Sequence, residues 1–481
     1  VSAGTLLALC VLLPCAGAGL VALLHRRPNL REAASLASAA ALAAAVAALA
    51  GPVLAGERPS LAVLELLPGI ALALELEPLG LLFALVASVL WFVSAIYCIG
   101  YMRGNAEPHQ TRFYACFALS IGAAIGVALS ANLLTLYLFY EALTFVTWPL
   151  VTHHGGAEAR RGGRTYLALL LATSMLFLLP AIAITWSVAG TLDFAPGGIL
   201  GGRIEGAAAA GLAALYAFGI GKAALMPLHR WLPAAMVAPA PVSALLHAVA
   251  VVKAGVFCVV KVVVYVFGMD FDADAFAWLP WVAGFTILAA SIVALRSDNL
   301  KRRLAYSTVS QLSYVVLAAA ILTPLSLAGA VLHIAAHAAG KITLFFAAGS
   351  IYTASGKTQV SQLDGIGRRM PWTMGAFTVG ALSLIGVPPC AGFVSKWYIL
   401  EGVLASGLWP MAVLLLASTL LNAGYFLPIV HAAFFRVPAG EPHGEAPLSI
   451  VSALVVTAAG TIALFFLPGL PLALARGVVG Q

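Results

Sequence analysis

Charge is what this sequence has least of. Only 9% of its 481 residues are Asp, Glu, Lys or Arg, against roughly 25% in a soluble domain. No long polar stretch interrupts the 62% that are hydrophobic. That excludes a soluble multidomain protein and leaves an all-α polytopic membrane protein. Cysteine is also scarce. The six (Cys10, Cys15, Cys98, Cys116, Cys258, Cys390) are scattered through apolar segments, with no CxxC or Cys/His spacing for zinc, haem or an iron–sulfur cluster. They read as small apolar filler. No nucleotide or flavin motif is present, so no catalytic site and no cofactor are expected in this chain. An enzyme label would come from a complex around it. Basic residues follow the first apolar segment rather than precede it, which is the wrong polarity for a cleaved signal peptide.

What is present is a series of apolar runs. Fourteen are counted, at about 3–24, 33–55, 78–101, 112–130, 132–152, 165–190, 207–228, 241–267, 276–295, 304–322, 326–353, 374–402, 410–436 and 448–475. Most approach the roughly 20 residues that span a bilayer as a helix. The loops support the count. Those after odd-numbered spans hold 17 Lys and Arg, from Arg26 to Arg436, whereas the opposite side holds only Arg58, Arg203 and Arg476. This alternation accounts for the net charge of +7 without nucleic acid. Positive-inside then places both termini on the non-cytoplasmic side of a membrane, most simply a bacterial inner membrane.

The few ionisable residues left inside spans are functional by default, because a charge in hydrocarbon costs at least a few kcal/mol. Glu141 sits mid-span, and Lys222 precedes Pro227 in a segment rich in helix breakers. A Glu141–Lys222 pair makes a proton switch, since an acid holds the proton on a buried lysine and its withdrawal lets the proton go. A snorkelling Lys222 is the competing reading. His247 and Lys253 lie six residues apart, near two helical turns. Lys261, eight residues further on, reads as an interfacial snorkelling lysine. His333, His337 and Lys341 stand at i, i+4 and i+8 and share a helical face. With no third ligand in view, they favour a proton relay over metal. Lys396 follows Pro388 and Pro389, which break their span. Glu401 lies beyond it, paired with a lysine or facing water. Arg302, Arg303 and Lys301 read as topogenic charge, and His153–His154 as a solvated loop. A faint parallel links Lys222 near Pro227 with Lys396 near Pro388, as in inverted-repeat transporters.

These residues carry a resemblance. LMPLHRWLPAAMVAPAPVSALLHAVAVVKAGVF, NLKRRLAYSTVSQLSYVVLA, LHIAAHAAGKITLFFAAGSI and GVPPCAGFVSKWYILEGVL resemble, in order, signature stretches of the antiporter-like subunits of respiratory complex I and of Mrp-type cation/proton antiporters. The resemblance implies fourteen transmembrane helices, with helices 4–8 (112–267) and 9–13 (276–436) as inverted repeats and helices 7 and 12 broken. It implies that Glu141 pairs with Lys222. It also implies that His247 and Lys253 bridge, that His333, His337 and Lys341 form the helix-11 station, and that Lys396 ends the row.

The function expected is proton translocation within a larger assembly, with sibling antiporter-like subunits and lipid as partners. Alternatives are a Na+/H+ antiporter subunit of an Mrp complex without redox coupling, and a membrane subunit of an inorganic-carbon uptake complex. Composition leaves the carried ion open between proton and sodium.

Overall fold

The computed structural model describes residues 2–438 and 442–480. It is 77% helical. In chain order, α1 is Ala3–Leu23 and α2 is Pro28–Leu54. A hairpin of β1 (Ser60–Leu67) and β2 (Ile70–Glu75) follows. Then come α3 (Pro78–Gly104), α4 (Gln110–Ala128), α5 (Leu133–Val151), α6 (Ala157–Ala189), α7 (Gly206–Gly219), α8 (Ala240–Phe267) and α9 (Ala273–Arg296). The remainder is α10 (Leu300–Ala320), α11 (Pro324–Ser355), α12 (Pro371–Ile385), α13 (Ala391–Ala405), α14 (Trp409–Phe435), α15 (Leu448–Phe466) and α16 (Gly469–Val479).

Eleven of the described helices are long and apolar enough to cross a membrane. The expected spans fall on helices with three departures. The seventh span stops at Gly219 rather than 228. The twelfth divides into α12 and α13, and the last divides at Leu467–Pro468 into α15 and α16. The hairpin corrects the all-α expectation. Its antiparallel strands are joined by a Pro68-Gly69 turn, with Gly69 at φ +78°, a conformation that suits glycine. It is stapled to the α4–α5 connection by Glu75 N–H to Leu129 O at 2.7 Å and Ala131 N–H to Ala73 O at 3.0 Å.

Two helices form the axis. Across their apolar windows, every residue of α8 and of α11 is buried, whereas only a third is buried in α1, α14 and α15. A helix apolar on all sides with no lipid face belongs at the centre. This placement takes His247, Lys253, His333, His337 and Lys341 out of lipid and out of water together.

The chain breaks twice beside that axis. After Gly219 the backbone runs through short turns from Gly221 to Val237 before α8 begins. Ala224 is left-handed at φ +57°, and Pro227 contributes no N–H. The freed groups are met locally. The Trp231 indole donates to Gly221 O at 2.9 Å, and Thr286 Oγ1 accepts from Met226 N–H at 3.3 Å. Irregular backbone at membrane depth is stable only with such partners. At the second break α12 ends on Gly386, φ +93°, a left-handed helix stop. The chain turns through Pro388 and Pro389 into α13.

Candidate functional site

Lys222 lies in the first break and is wholly buried. Its ammonium donates to Tyr140 O at 2.8 Å and Thr144 Oγ1 at 2.6 Å, both on α5. It also sits 3.2 Å from the centroid of the Tyr140 ring, a contact worth about 2 kcal/mol when desolvated. The Tyr140 hydroxyl accepts the Lys222 backbone N–H at 3.1 Å. The snorkelling alternative for Lys222 is excluded by this seating. Glu141, the next residue on α5, is expected to pair with Lys222 but makes no ion pair with it. Its two carboxylate oxygens are buried without a hydrogen-bond partner among the described residues. A hydroxyl and a carbonyl oxygen hold the lysine in place of the acid. Sequence spacing locates the acid and the lysine but gives no sign of Tyr140 and Thr144, which lie one residue before and three after Glu141.

Gly255 explains how the axis helix reaches this break. A Cβ there would stand 2.6 Å from Lys222 O, so only glycine lets α8 pack directly on the irregular backbone. Two residues earlier, the Lys253 ammonium contacts His337 Nδ1 on α11. His337 and His333 rings are 5.9 Å apart. His333 Nδ1 lies 2.9 Å from Ser395 Oγ, and its ring stacks on Tyr314 at 5.7 Å. Lys396, adjacent to Ser395, is half-buried, with its ammonium 4.7 Å from the same Tyr314 ring.

A second branch leaves α11 one turn on. Lys341 donates to Ser307 Oγ at 2.8 Å, and the Tyr425 hydroxyl lies 3.0 Å from that oxygen and contacts Asn422. The Asn422 amide reaches Leu384 O at 3.5 Å. Leu384 O and Ile385 O are also the acceptors for Lys396, at 2.7 and 3.1 Å. They are the open carbonyls of α12, where the helix dipole favours a cation. Both branches converge on Lys396. Ser307, Tyr314, Ser395, Asn422 and Tyr425 are invisible to a search for charged residues; their signal is polarity recurring inside buried spans.

Other expectations change on folding. His247 faces Phe345, ring centroids 4.7 Å apart, and both its ring nitrogens lack partners among the described residues. Glu401 accepts from the Trp397 indole at 2.8 Å rather than from a lysine. Lys261 is not interfacial: it is buried and paired with Glu77 at 2.9 Å, with Ser130 O as second acceptor at 2.9 Å. Glu77 also accepts the Gly80 N–H at 2.7 Å as the N-cap of α3. Arg303 is buried too, donating to Ser297 O and Tyr425 O, so it positions the backbone at Tyr425. Of the supposedly solvated histidine pair, His153 is buried.

Residues 130–422 match the family described as NADH:quinone oxidoreductase/Mrp antiporter, TM. The chain is similar to NADH-quinone oxidoreductase subunit N of Desulforudis audaxviator, 34% identical, over 86% of this chain and 83% of that one. It is similar to a probable K(+)/H(+) antiporter subunit of Rhizobium meliloti, 32% identical over 78% of this chain but only 38% of the relative. In fold it resembles a chain of the Mrp complex from Dietzia sp. DQ12-45-1b, with TM-score 0.87, 22% identity, and coverage of 99% and 97% of the two chains. It also resembles a chain of the membrane-bound sulfane sulfur reductase, an archaeal respiratory membrane complex, at TM-score 0.86, 24% identity, and coverage of 98% and 97%. With its match from 130 to 422 and its likeness to subunit N over most of both chains, this multi-pass membrane protein belongs to the NADH:quinone oxidoreductase/Mrp antiporter transmembrane family.

Proposed function

We propose that the chain carries protons laterally, between two half-paths, as an antiporter-like subunit of a multisubunit membrane assembly. The observation that carries this reading is the contact of Lys253 on α8 with His337 on α11. It joins the α5–α7–α8 group to the α11–α13 group through side chains that hold or pass a proton. In this reading the chain crosses the membrane fourteen times, with both termini on the non-cytoplasmic side. Residues 112–267 and 276–436 form two inverted repeats, and Pro227, Pro388 and Pro389 mark their broken helices. Relatives from a quinone oxidoreductase and from antiporters, and fold neighbours within multisubunit complexes, support sibling membrane subunits as partners.

The parted Glu141 and Lys222 give the cycle its direction. When Glu141 closes on Lys222, the lysine keeps its proton. When the pair opens, Tyr140 O and Thr144 hold the ammonium without a balancing charge, and the proton is driven toward Lys253. His337 and His333 pass it to the Ser395–Lys396 end. Exchange of protons for Na+ or K+ is the second reading, favoured by the similarity to a K(+)/H(+) antiporter subunit.

The test is proton transport by the complete assembly in proteoliposomes. Lys222→Ala should abolish pH-gradient formation while the assembly stays intact on gel filtration. Undiminished transport would overturn the reading at its centre.

A further inference from the structure

A groove of about 380 Å³ lies between α3, α11, α15 and α16. Residues 82–93 of α3 and 456–467 of α15 form its sides, and Ala335 and Ala339 of α11 form its floor. Val89, Val456 and Leu467 on its walls are exposed, so it opens to the outside of the bundle. The one side-chain hydroxyl in the lining, that of Thr457, is already used: it accepts from Thr343 at 2.9 Å and donates to Leu454 O at 2.8 Å. An apolar cavity of about 150 Å³ stays dry and admits a benzene ring. On that scale this groove takes on the order of fifteen carbons.

Its length is also telling. Leu82 and Val93, the outermost α3 residues of the lining, are separated by about 16 Å of helix. One leaflet of a bilayer contributes about 15 Å of hydrocarbon. A helix is about 10 Å across and fills on the order of 1,000 Å³ over that length, so a neighbouring helix would cover the groove without filling it. A single acyl chain matches both the volume and the length.

The groove has a charged mouth. A second cavity, of about 290 Å³, lies at the start of α3, where Glu57, Arg58 and Pro78 line it. Leu474 lines both cavities, so the two meet there. Glu57 is exposed. Arg58 Nη1 reaches Glu75 Oε1 only at 3.4 Å, and its side chain is 32% exposed, which leaves the guanidinium open to a phosphate. Arg476 is exposed one turn beyond Ala473 of the same lining. An acid and two arginines at the head of a one-leaflet apolar groove complement a headgroup that carries both signs.

We propose that the two cavities together bind one phospholipid with a primary-amine headgroup, of the phosphatidylethanolamine class. One acyl chain fills the groove, Arg58 with Arg476 holds the phosphate, and Glu57 accepts from the ammonium. Ala335 and Ala339 stand two residues to either side of His337, so the chain lies against the face of α11 opposite His337. That helix is then backed by lipid on one side while His337 meets Lys253 and His333 meets Ser395 on the other.

The test uses the intact assembly reconstituted with phosphatidylethanolamine that carries a diazirine on one acyl chain. It is washed in mild detergent before irradiation, so that only retained lipid reacts. Label should fall on residues 82–93 and 456–474, and not on the exposed Leu416 and Leu420 of α14. A Cβ at Gly460 meets nothing within 4 Å, so Gly460→Phe should place its ring in the groove and lose the label, while Gly460→Ala keeps it. Added phosphatidylethanolamine should raise the melting temperature of the wild type and of Gly460→Ala, but not of Gly460→Phe. Headgroup choice is read separately. Phosphatidylethanolamine should outcompete phosphatidylglycerol of the same tails by about tenfold, the weight of one charge-assisted hydrogen bond, and Glu57→Gln should erase that preference. Equal competition by the two lipids in the wild type would overturn the proposal. So would label spread evenly over the outer helices, or a groove left unlabelled because a sibling helix covers it. None of these readouts depends on proton carriage.

Discussion

The two breaks, at 219–239 and at 385–391, look alike in sequence and hold their lysines differently. Lys222 is fixed by another helix, through Tyr140 and Thr144, and is cut off from water. Lys396 is fixed by the carbonyl end of its own broken pair, Leu384 and Ile385, and is half-buried. The first has an acid, Glu141, one residue from its clamp. The second has no acid in an ion pair with it among the described residues. In the proposed path, a charge clamped by hydroxyl and carbonyl oxygens beside an unpaired acid would be the switch. In the same path, a charge seated on the carbonyl end of a helix, where the dipole favours it, would be the terminus. In the proposed path, similar backbone devices would thus serve two stages.

The largest expected effect concerns charge balance on the first side. Glu77→Gln leaves Lys261 buried and unpaired, which should destabilise the fold by about 3–5 kcal/mol. The double variant Glu77→Gln with Lys261→Met should recover most of it in thermal unfolding in detergent. A double variant no more stable than the single would show that the lysine stem, not its charge, matters there. Next, Lys222→Met should lower transport by about 10²-fold, the scale of a lost proton-transfer group. Lys396→Met should lower it less than that, because helix-end carbonyls hold the second lysine with no acid beside it to switch. Equal losses would erase the distinction between switch and terminus.

The packing of each break gives a smaller test. Gly255 would place a Cβ 2.6 Å from Lys222 O, and Gly392 one 2.7 Å from the Ser383 carbonyl carbon. Alanine at either should cost about 1–3 kcal/mol through overpacking, read as a lowered melting temperature. Gly255→Ala should also slow transport, because the displaced backbone is that of Lys222 itself. Smallest of all, Ser395→Ala removes the hydroxyl beside His333 at a cost of about 1 kcal/mol. It should slow transport only a few-fold, since the Lys341–Ser307–Tyr425–Asn422 branch still reaches Leu384. If Ser395→Ala abolishes transport, the second branch does not carry protons.

Much of this was readable from the chain. Apolar run length located the helices, and rare charge inside those runs located Glu141, Lys222, Lys253, Lys341 and Lys396. The errors share a cause. Lys261 and Glu77 lie near span ends, where sequence distance to a boundary stands in for exposure. The hairpin and the α4–α5 connection cover that end and bury both. His153 was misread for the same reason. The hydroxyl and amide residues around the buried lysines were missed because Ser, Thr, Asn and Tyr are common in helices and become distinctive only when pointed at a lysine.

By itself the sequence determined that the chain lives in a membrane, where its helices run, and which few charges must be sheltered. Those follow from hydrocarbon length and the cost of an unsolvated charge, and both are local properties of the chain. Tertiary structure alone decided who holds each charge. It made Thr144 and the Tyr140 carbonyl, not Glu141, the partners of Lys222, and joined Lys253 to His337 across 84 residues of sequence. Hydrogen bonds depend on ångström distances between helices, and those are fixed by packing at positions such as Gly255, where the absence of one carbon sets how near two backbones come.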